Sequence, residues 1–343
     1  MKILHIINEL FYGGAARALM TCAHRCAQYD GSRHTIISMA PTHNNNSNST
    51  VLAAKLGISV IESPGYDTLC SAITANDIVH LHYWNAPPIN EFMRKNLPPM
   101  RLLIKFNIGG QHPPHVITQD IVDFADMVQT TGPFANELQI FSELDPEVRL
   151  AKVHMCYGAA DFSRLKNFSP KPHDSFNVSY LGTVNFIKMH PDYVYLSNSV
   201  HIPEARFIVC GFGDAYPTLK KQAQELGAMH RFDFRMERED ISTIFATTDV
   251  FGYPLCEDNY SSGELVLQEV AYAGIPAVVF TYGGAGRLVI NDFTGYVVRT
   301  APEYREAIEY LYQRPDERKR MGRNAREYAM QLFGDKNAAH KTL

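Results

Sequence analysis

Short apolar runs recur along the whole chain, each closed by glycine, proline or a polar pair and most followed by a stretch of helical spacing. In the first half they fall at 2–7, 34–38, 58–61, 77–82, 101–106, 126–131 and 152–157. In the second half they fall at 177–181, 206–210, 230–234, 250–253, 277–280 and 296–299. Helical spacing occupies 15–27, 134–141, 190–199, 239–246, 264–273, 303–312 and 315–331. Strand and helix alternating in this way predict parallel sheets covered by helices. The pattern lapses over 166–174, which holds Pro170 and Pro172 and no periodicity, so that stretch reads as a linker between two α/β domains. The asparagine- and serine-rich stretch 42–50 reads as an exposed loop without chemistry.

Composition agrees with this division. A chain of 343 residues is too long for one ordinary core. Hydrophobic residues make up 45% and charged residues 20%, a soluble globular balance. The net charge of −4 gives no bulk attraction to nucleic acid. The opening run 1–7 lacks the longer apolar region and cleavage site of a signal peptide, and no run is long enough to span a bilayer. Six cysteines are scattered, which fits a reducing cytoplasm. Cys22 and Cys26 stand four apart on an expected helix. A zinc site there would need two further ligands nearby, so a core role is expected.

Candidate chemistry is densest between 249 and 284. The strand 250–253 ends in Pro254, and a polar loop leads to a helix at 264–273 that stops at Gly274. Ser261 or Ser262 is expected to cap that helix. The next strand, 277–280, runs into Gly283-Gly284. Two strand-to-helix turns side by side bring two sets of backbone N–H groups to one sheet edge, where open α/β sheets bind phosphorylated ligands. Gly13-Gly14 make a third such turn after the first strand. Strand 177–181 ends at Gly182-Thr183, with Lys188 a little further on. The Gly211-Phe212-Gly213 turn lacks the third glycine and early position of a dinucleotide fingerprint. His80 and His82 share one face of their strand, His80 as a satisfied structural histidine.

The 249–284 stretch resembles the donor site of retaining glycosyltransferases of the glycogen-synthase-like type (family four, glycosyl transferases group 1). Glu269, Ala271, Gly274, Pro276, Gly283 and Gly284 match that family's pattern. Its first Glu falls on Ser261, and the loop after Pro254 is longer than usual. Glu257, Asp258 and Glu264 are the carboxylates that could take its place. A later Glu of the pattern is Arg287 here. The phrase from Gly13 to Arg17 resembles the family's first loop, which faces the donor phosphates and acceptor. Lys188 matches a lysine that binds the donor diphosphate, and Thr183 stands where the family carries Arg. The family's histidine past the fifth strand aligns with Asn107, with His112 five residues on. The resemblance covers nearly the whole chain and is strongest from 182 to 298.

This resemblance implies an α/β GT-B fold, two Rossmann-like parallel-sheet domains facing each other across a cleft. Residues 1–168 would form the acceptor-side domain and 169–325 the donor domain, with a final helix at 326–343 crossing back to the first. It implies a metal-independent retaining transfer from a UDP- or GDP-sugar to a hydroxyl of a glycan or lipid-linked acceptor. His112, Lys188 and Glu269 are the expected catalytic residues. Gly13, Gly14, Gly182, Thr183, Ser261, Glu264, Gly283 and Gly284 are expected to bind the donor. A sugar-nucleotide epimerase and a non-catalytic sugar-nucleotide-binding subunit are the rival readings. The basic run 314–326 is either a solvated helix face or a contact with anionic lipid at the inner face of a membrane.

Overall fold

The computed structural model describes residues 1–11, 13–40, 47–236 and 240–334. The chain divides into two compact units, Met1–Ala160 with Phe333 in one and Asp161–Leu332 in the other. The first unit holds seven parallel strands: β1 (Lys2–Ile7), β2 (Arg33–Ser38), β3 (Ser59–Glu62), β4 (Ile78–Tyr83), β5 (Leu102–Phe106), β6 (Met127–Thr130) and β7 (Val153–Met155). Their order is β3-β2-β1-β4-β5-β6-β7. The second unit holds β8 (Phe176–Leu181), β9 (Ala205–Cys210), β10 (Phe232–Arg235), β11 (Val250–Tyr253), β12 (Ala277–Phe280) and β13 (Gly295–Val298). Their order is β10-β9-β8-β11-β12-β13, again all parallel.

Every apolar run of the sequence thus became a strand, because a strand buried on both faces must be apolar nearly throughout. The two-residue period then sorts side chains to opposite faces of each sheet. In the first unit Leu4, Ile6, Val79, Leu81, Ile104 and Phe106 pack into one core. Ile7, Ile36 and Ile58 pack on the other face with Leu19, Met20 and Ala23 of the Gly14–Asp30 helix. Gly31 ends that helix in the left-handed region at φ 72°, as a glycine C-cap does.

The structure departs from the sequence reading in several places. Residues 41–46 lie outside the described residues, but Ser47–Lys55 is a helix, with Ser49 fully buried, rather than an exposed loop. The division between units falls at Ala160, ahead of the expected linker. The chain that follows packs onto the second unit: Phe162 stacks on Tyr272 with ring centroids 4.3 Å apart, and the Lys171 amide donates to the Ala246 carbonyl. The helix expected from 239 is described from Ile241 to Phe245, capped by Asp240. Phe333 ends the Pro315–Phe333 helix and packs edge-on against Tyr157 of the first unit. The rest of the expected crossing helix, 335–343, lies outside the described residues. No described helix is long and apolar enough to cross a membrane.

Candidate functional site

In the second unit β8 and β11 are neighbours, yet the chain leaves them toward opposite edges of the sheet. Such a reversal opens a crevice beyond the carboxyl ends of the two strands, where open α/β sheets take ligands. The loops after β8 and β11 form the site. They are stitched together by backbone: the His190 amide donates to the Pro254 carbonyl and the Cys256 amide to the Lys188 carbonyl, both at 2.9 Å. Asn185 folds the first loop by accepting from the Lys188 amide through its side chain. The turn after β9 presses close behind, since a Cβ on Gly211 would lie 1.8 Å from the Gly182 carbonyl oxygen. Only glycine permits that approach.

This stitching brings Lys188 to Glu264. Lys188 Nζ donates to Glu264 Oε2 at 3.3 Å and stands 5.8 Å from the centroid of the Tyr253 ring. Tyr253 Oη donates to the same carboxylate oxygen at 2.7 Å. The Glu264 side chain is 2% exposed and that of Lys188 15%. Burial pushes the Lys188 ammonium down, but the Glu264 charge, Tyr260 and the Glu264 hydrogen bond outweigh it and hold its pKa above the ordinary value. Burial, reinforced by the Glu264 charge, pushes the Tyr253 and Tyr180 phenols well up, so both remain neutral donors. Glu264 Oε1 is buried with no hydrogen-bond partner among the described residues. A buried carboxylate oxygen left in this state is costly and marks a place for a ligand's donor.

The longer loop after Pro254 is organised by Asn259. Its Oδ1 accepts from the Ser261 amide at 3.0 Å and its Nδ2 donates to the Cys256 carbonyl at 2.7 Å. Gly283, at φ 61°, packs on the Asn259 side chain, and the Gly284 amide donates to the Ser261 carbonyl. The second glycine turn is therefore seated on the polar loop. Ser261 and Ser262 do not cap the helix that follows. It runs from Leu265 to Ala273, and both hydroxyl oxygens are buried without a partner among the described residues. Glu257 and Asp258 are exposed, so of the three candidate carboxylates only Glu264 is buried beside Lys188.

Glu269 projects from that helix and is 2% exposed. Its Oε1 accepts from Arg164 Nη1 at 2.9 Å, an ion pair with no signal in the local sequence pattern. Thr183 contributes its carbonyl to the Tyr180 hydroxyl at 2.8 Å.

The remaining candidates stand in the first unit. Gly13 is the N-cap of the 17-residue Gly14–Asp30 helix and has no side chain of its own to cap the first turn. His112 is partly buried in the loop after β5, where its carbonyl accepts the His115 amide. His115 is the buried histidine of that loop, 4.0 Å from the Trp84 ring centroid to centroid. Asn107 lines a cavity beneath the Gly14–Asp30 helix. His80 is buried as expected, but its Nε2 has no partner among the described residues, so it is not a satisfied structural histidine. Tyr253, Asn259 and Arg164 were missed by sequence reasoning. Tyr253 sits at a strand end, where a search for donors to the carboxylate could have found it, and Asn259 lies in the polar loop, where asparagine is a common turn former.

Two parallel-sheet α/β domains with a site at the β8–β11 reversal define a GT-B protein, and solved structures with this fold cover the chain end to end. HepE of Anabaena, crystallised with UDP and glucose, is 18% identical and superposes with a TM-score of 0.77 over 100% of this chain and 98% of its own. A glycosyltransferase from Rickettsia africae is 16% identical, with a TM-score of 0.79 over 99% and 96%. Residues 162–328, nearly all of the second unit, match the family Glycosyl transferases group 1. Among curated proteins, the alpha-D-kanosaminyltransferase of Streptomyces kanamyceticus is 26% identical over 58% of this chain and 50% of its own length. A Vi polysaccharide biosynthesis protein, VipC/TviE, of Salmonella typhi is 27% identical over 29% of this chain and 17% of its own length. The matches thus span half or less of these curated relatives.

Proposed function

We propose that the protein transfers a sugar, with retention of anomeric configuration, from a nucleotide-diphosphate sugar to an acceptor hydroxyl. The buried Lys188–Glu264 pair at the β8–β11 reversal carries this reading. In it, Lys188 meets the donor diphosphate and stabilises the charge that develops as the nucleotide leaves. The Gly182 and Gly283-Gly284 turns add backbone dipoles to the same task. Glu264 Oε1 accepts a donor-sugar hydroxyl, so this carboxylate stands in for the family's first Glu, which is Ser261 here. Glu269, oriented by Arg164, accepts from the ribose hydroxyls. UDP is the favoured nucleotide, because HepE shares the fold and was crystallised with UDP and glucose. For His112 the proposed role is catalytic, and for the Gly13-Gly14 turn it is contact with the donor. The acceptor is a glycan or lipid-linked hydroxyl, and the reaction takes place in the cytoplasm.

A thermal-shift screen of nucleotides and their sugars tests the donor. A ligand that binds only the folded state raises Tm, and UDP is expected to raise it more than GDP. Transfer is then read by NMR from the anomeric coupling of the product, and inversion would overturn the retaining assignment. Ser261 at the position of the first Glu favours a second reading, a subunit that binds sugar nucleotide without turning it over. Slow donor hydrolysis by the purified chain, abolished in Lys188→Ala, excludes it.

A further inference from the structure

In the first unit, part of the sheet face beneath the Gly14–Asp30 helix is polar where a core is expected, beside the apolar cluster of Ile7 and Ile36. Register sets His5 beside His80 on neighbouring strands, and His82 beside Lys105. His5, His80 and His82 are all buried, and each offers one ring nitrogen to a group whose members lie within 4.8 Å of one another. His5 Nδ1 and His82 Nε2 are 3.2 Å apart. They adjoin a cavity of about 30 Å³ that is also lined by Lys105 and by Cys22 and Cys26 of the helix. From the geometry we infer that His5, His80 and His82 form a binding site for one divalent transition-metal ion, with Zn²⁺ the best fit.

Three observations carry this. The first is spacing. Two imidazole nitrogens at about 2.0–2.1 Å from a tetrahedral ion lie roughly 3.3 Å apart, close to the His5–His82 separation. His80 Nε2 is buried with no partner among the described residues, and one His80 nitrogen lies within 4.8 Å of the ligand atoms of His5 and His82, so its ring must move in to become the third ligand. The second is the shell behind the ligands. His5 Nε2 is 2.9 Å from His34 Nδ1, and His34 Nε2 is 2.8 Å from Ser32 Oγ. A chain of this kind fixes the ring and the tautomer of a metal-binding histidine. The third is room, since a cavity this size holds an ion with one water at its open position.

One of the two nitrogens of the His5–His82 contact carries its proton. With that proton on His82 Nε2, metal entry moves it to His82 Nδ1, which has no partner among the described residues, and no net charge is lost. The Lys105 ammonium opposes the ion, as it opposes protonation of the same histidines. The nearby thiols and neutral imidazoles favour a borderline ion over Mg²⁺ or Ca²⁺. The site lies within the first sheet and uses none of the residues proposed to bind the donor, and so is compatible with metal-independent transfer.

The test is titration of the chelator-stripped full chain with Co²⁺ alone. One equivalent should bind with the intense visible bands of a tetrahedral, nitrogen-ligated ion, and Zn²⁺ should bleach them. His80→Gln and His82→Gln should abolish the bands, while Lys105→Met should bind several-fold tighter. Thermal unfolding without metal shows whether the variants fold. If they do not, Cu²⁺ EPR of the wild-type chain decides, with coupling to three imidazole nitrogens expected. Weak octahedral Co²⁺ spectra, bands that survive His80→Gln, or Cu²⁺ without imidazole coupling would overturn the site.

Discussion

Lys188 and Glu264 are 76 residues apart in the chain and 3.3 Å apart in the fold. The ion pair has two consequences at the scale of single residues. Lys188→Ala removes the cation that donates to the buried Glu264 carboxylate. Turnover at saturating donor should fall by roughly 10²–10³-fold, the scale of losing one charge-stabilising donor. Near-normal turnover in a steady-state assay would take Lys188 out of the site. Glu269 has a different partner and predicts a different signature. Glu269→Gln keeps the shape but loses the charge, and a hydrogen bond to a charged acceptor contributes about 1.5–3 kcal/mol. Calorimetry should show UDP binding weakened by roughly tenfold or more. A 2′,3′-dideoxy analogue should bind wild type and variant alike; equal losses for both nucleotides would show that Glu269 does not touch the ribose. Arg164→Met, which removes the guanidinium hydrogen-bonded to Glu269 Oε1, should lower stability by about 1–3 kcal/mol, with much of the loss recovered in the R164M/E269Q double variant.

At the scale of elements, the site depends on two turns pressed against their neighbours by backbone. A Cβ on Gly284 would lie 1.8 Å from the Ser262 carbonyl oxygen. That oxygen belongs to the chain and cannot swing aside, so Gly284→Ala must shift either the turn or the polar loop. The expected cost is about 1–3 kcal/mol, read from denaturant unfolding, with loss of the UDP-induced rise in Tm. An unchanged nucleotide response in a folded G284A protein would mean that the seating of this turn on the loop is immaterial to binding. At this scale the sequence was most legible. Each strand was visible because a strand covered on both faces leaves a near-continuous apolar run, and strand ends were marked by glycine and proline. The helix at Ser47–Lys55 was not visible, because serine and asparagine are poor helix formers and only tertiary contacts at its buried face, Ser49 and Ala53, overrule that preference.

At the scale of the molecule, the second unit gathers Tyr180, Tyr193, Tyr216, Tyr253 and Tyr304 in its interior, and burial is the largest cause raising each phenol above its ordinary range. The folded state holds these protons more tightly than the unfolded chain does. Their contribution is therefore complete below the unfolded tyrosine value of about 10 and is lost as pH rises through the folded values. Alkaline titration followed at the phenolate absorption band should show one group of tyrosines ionising without unfolding, then a late cooperative step that coincides with loss of circular dichroism. A smooth, non-cooperative titration of all tyrosines would contradict this arrangement.

The sequence by itself determined the two α/β units, the parallel strands, the glycine turns and the positions of Lys188 and Glu269. All of these follow from local pattern or from spacing along the chain. Only the tertiary structure decided which carboxylate stands beside Lys188, that Arg164 meets Glu269, and that four histidines from three strands share one face under a helix. Strand order and register set those pairings, and neither is encoded at a fixed separation in the sequence. The choice of Glu264 over Glu257 and Asp258 turned on burial: all three are alike as residues, and the fold of the loop around Asn259 leaves only Glu264 buried against the lysine.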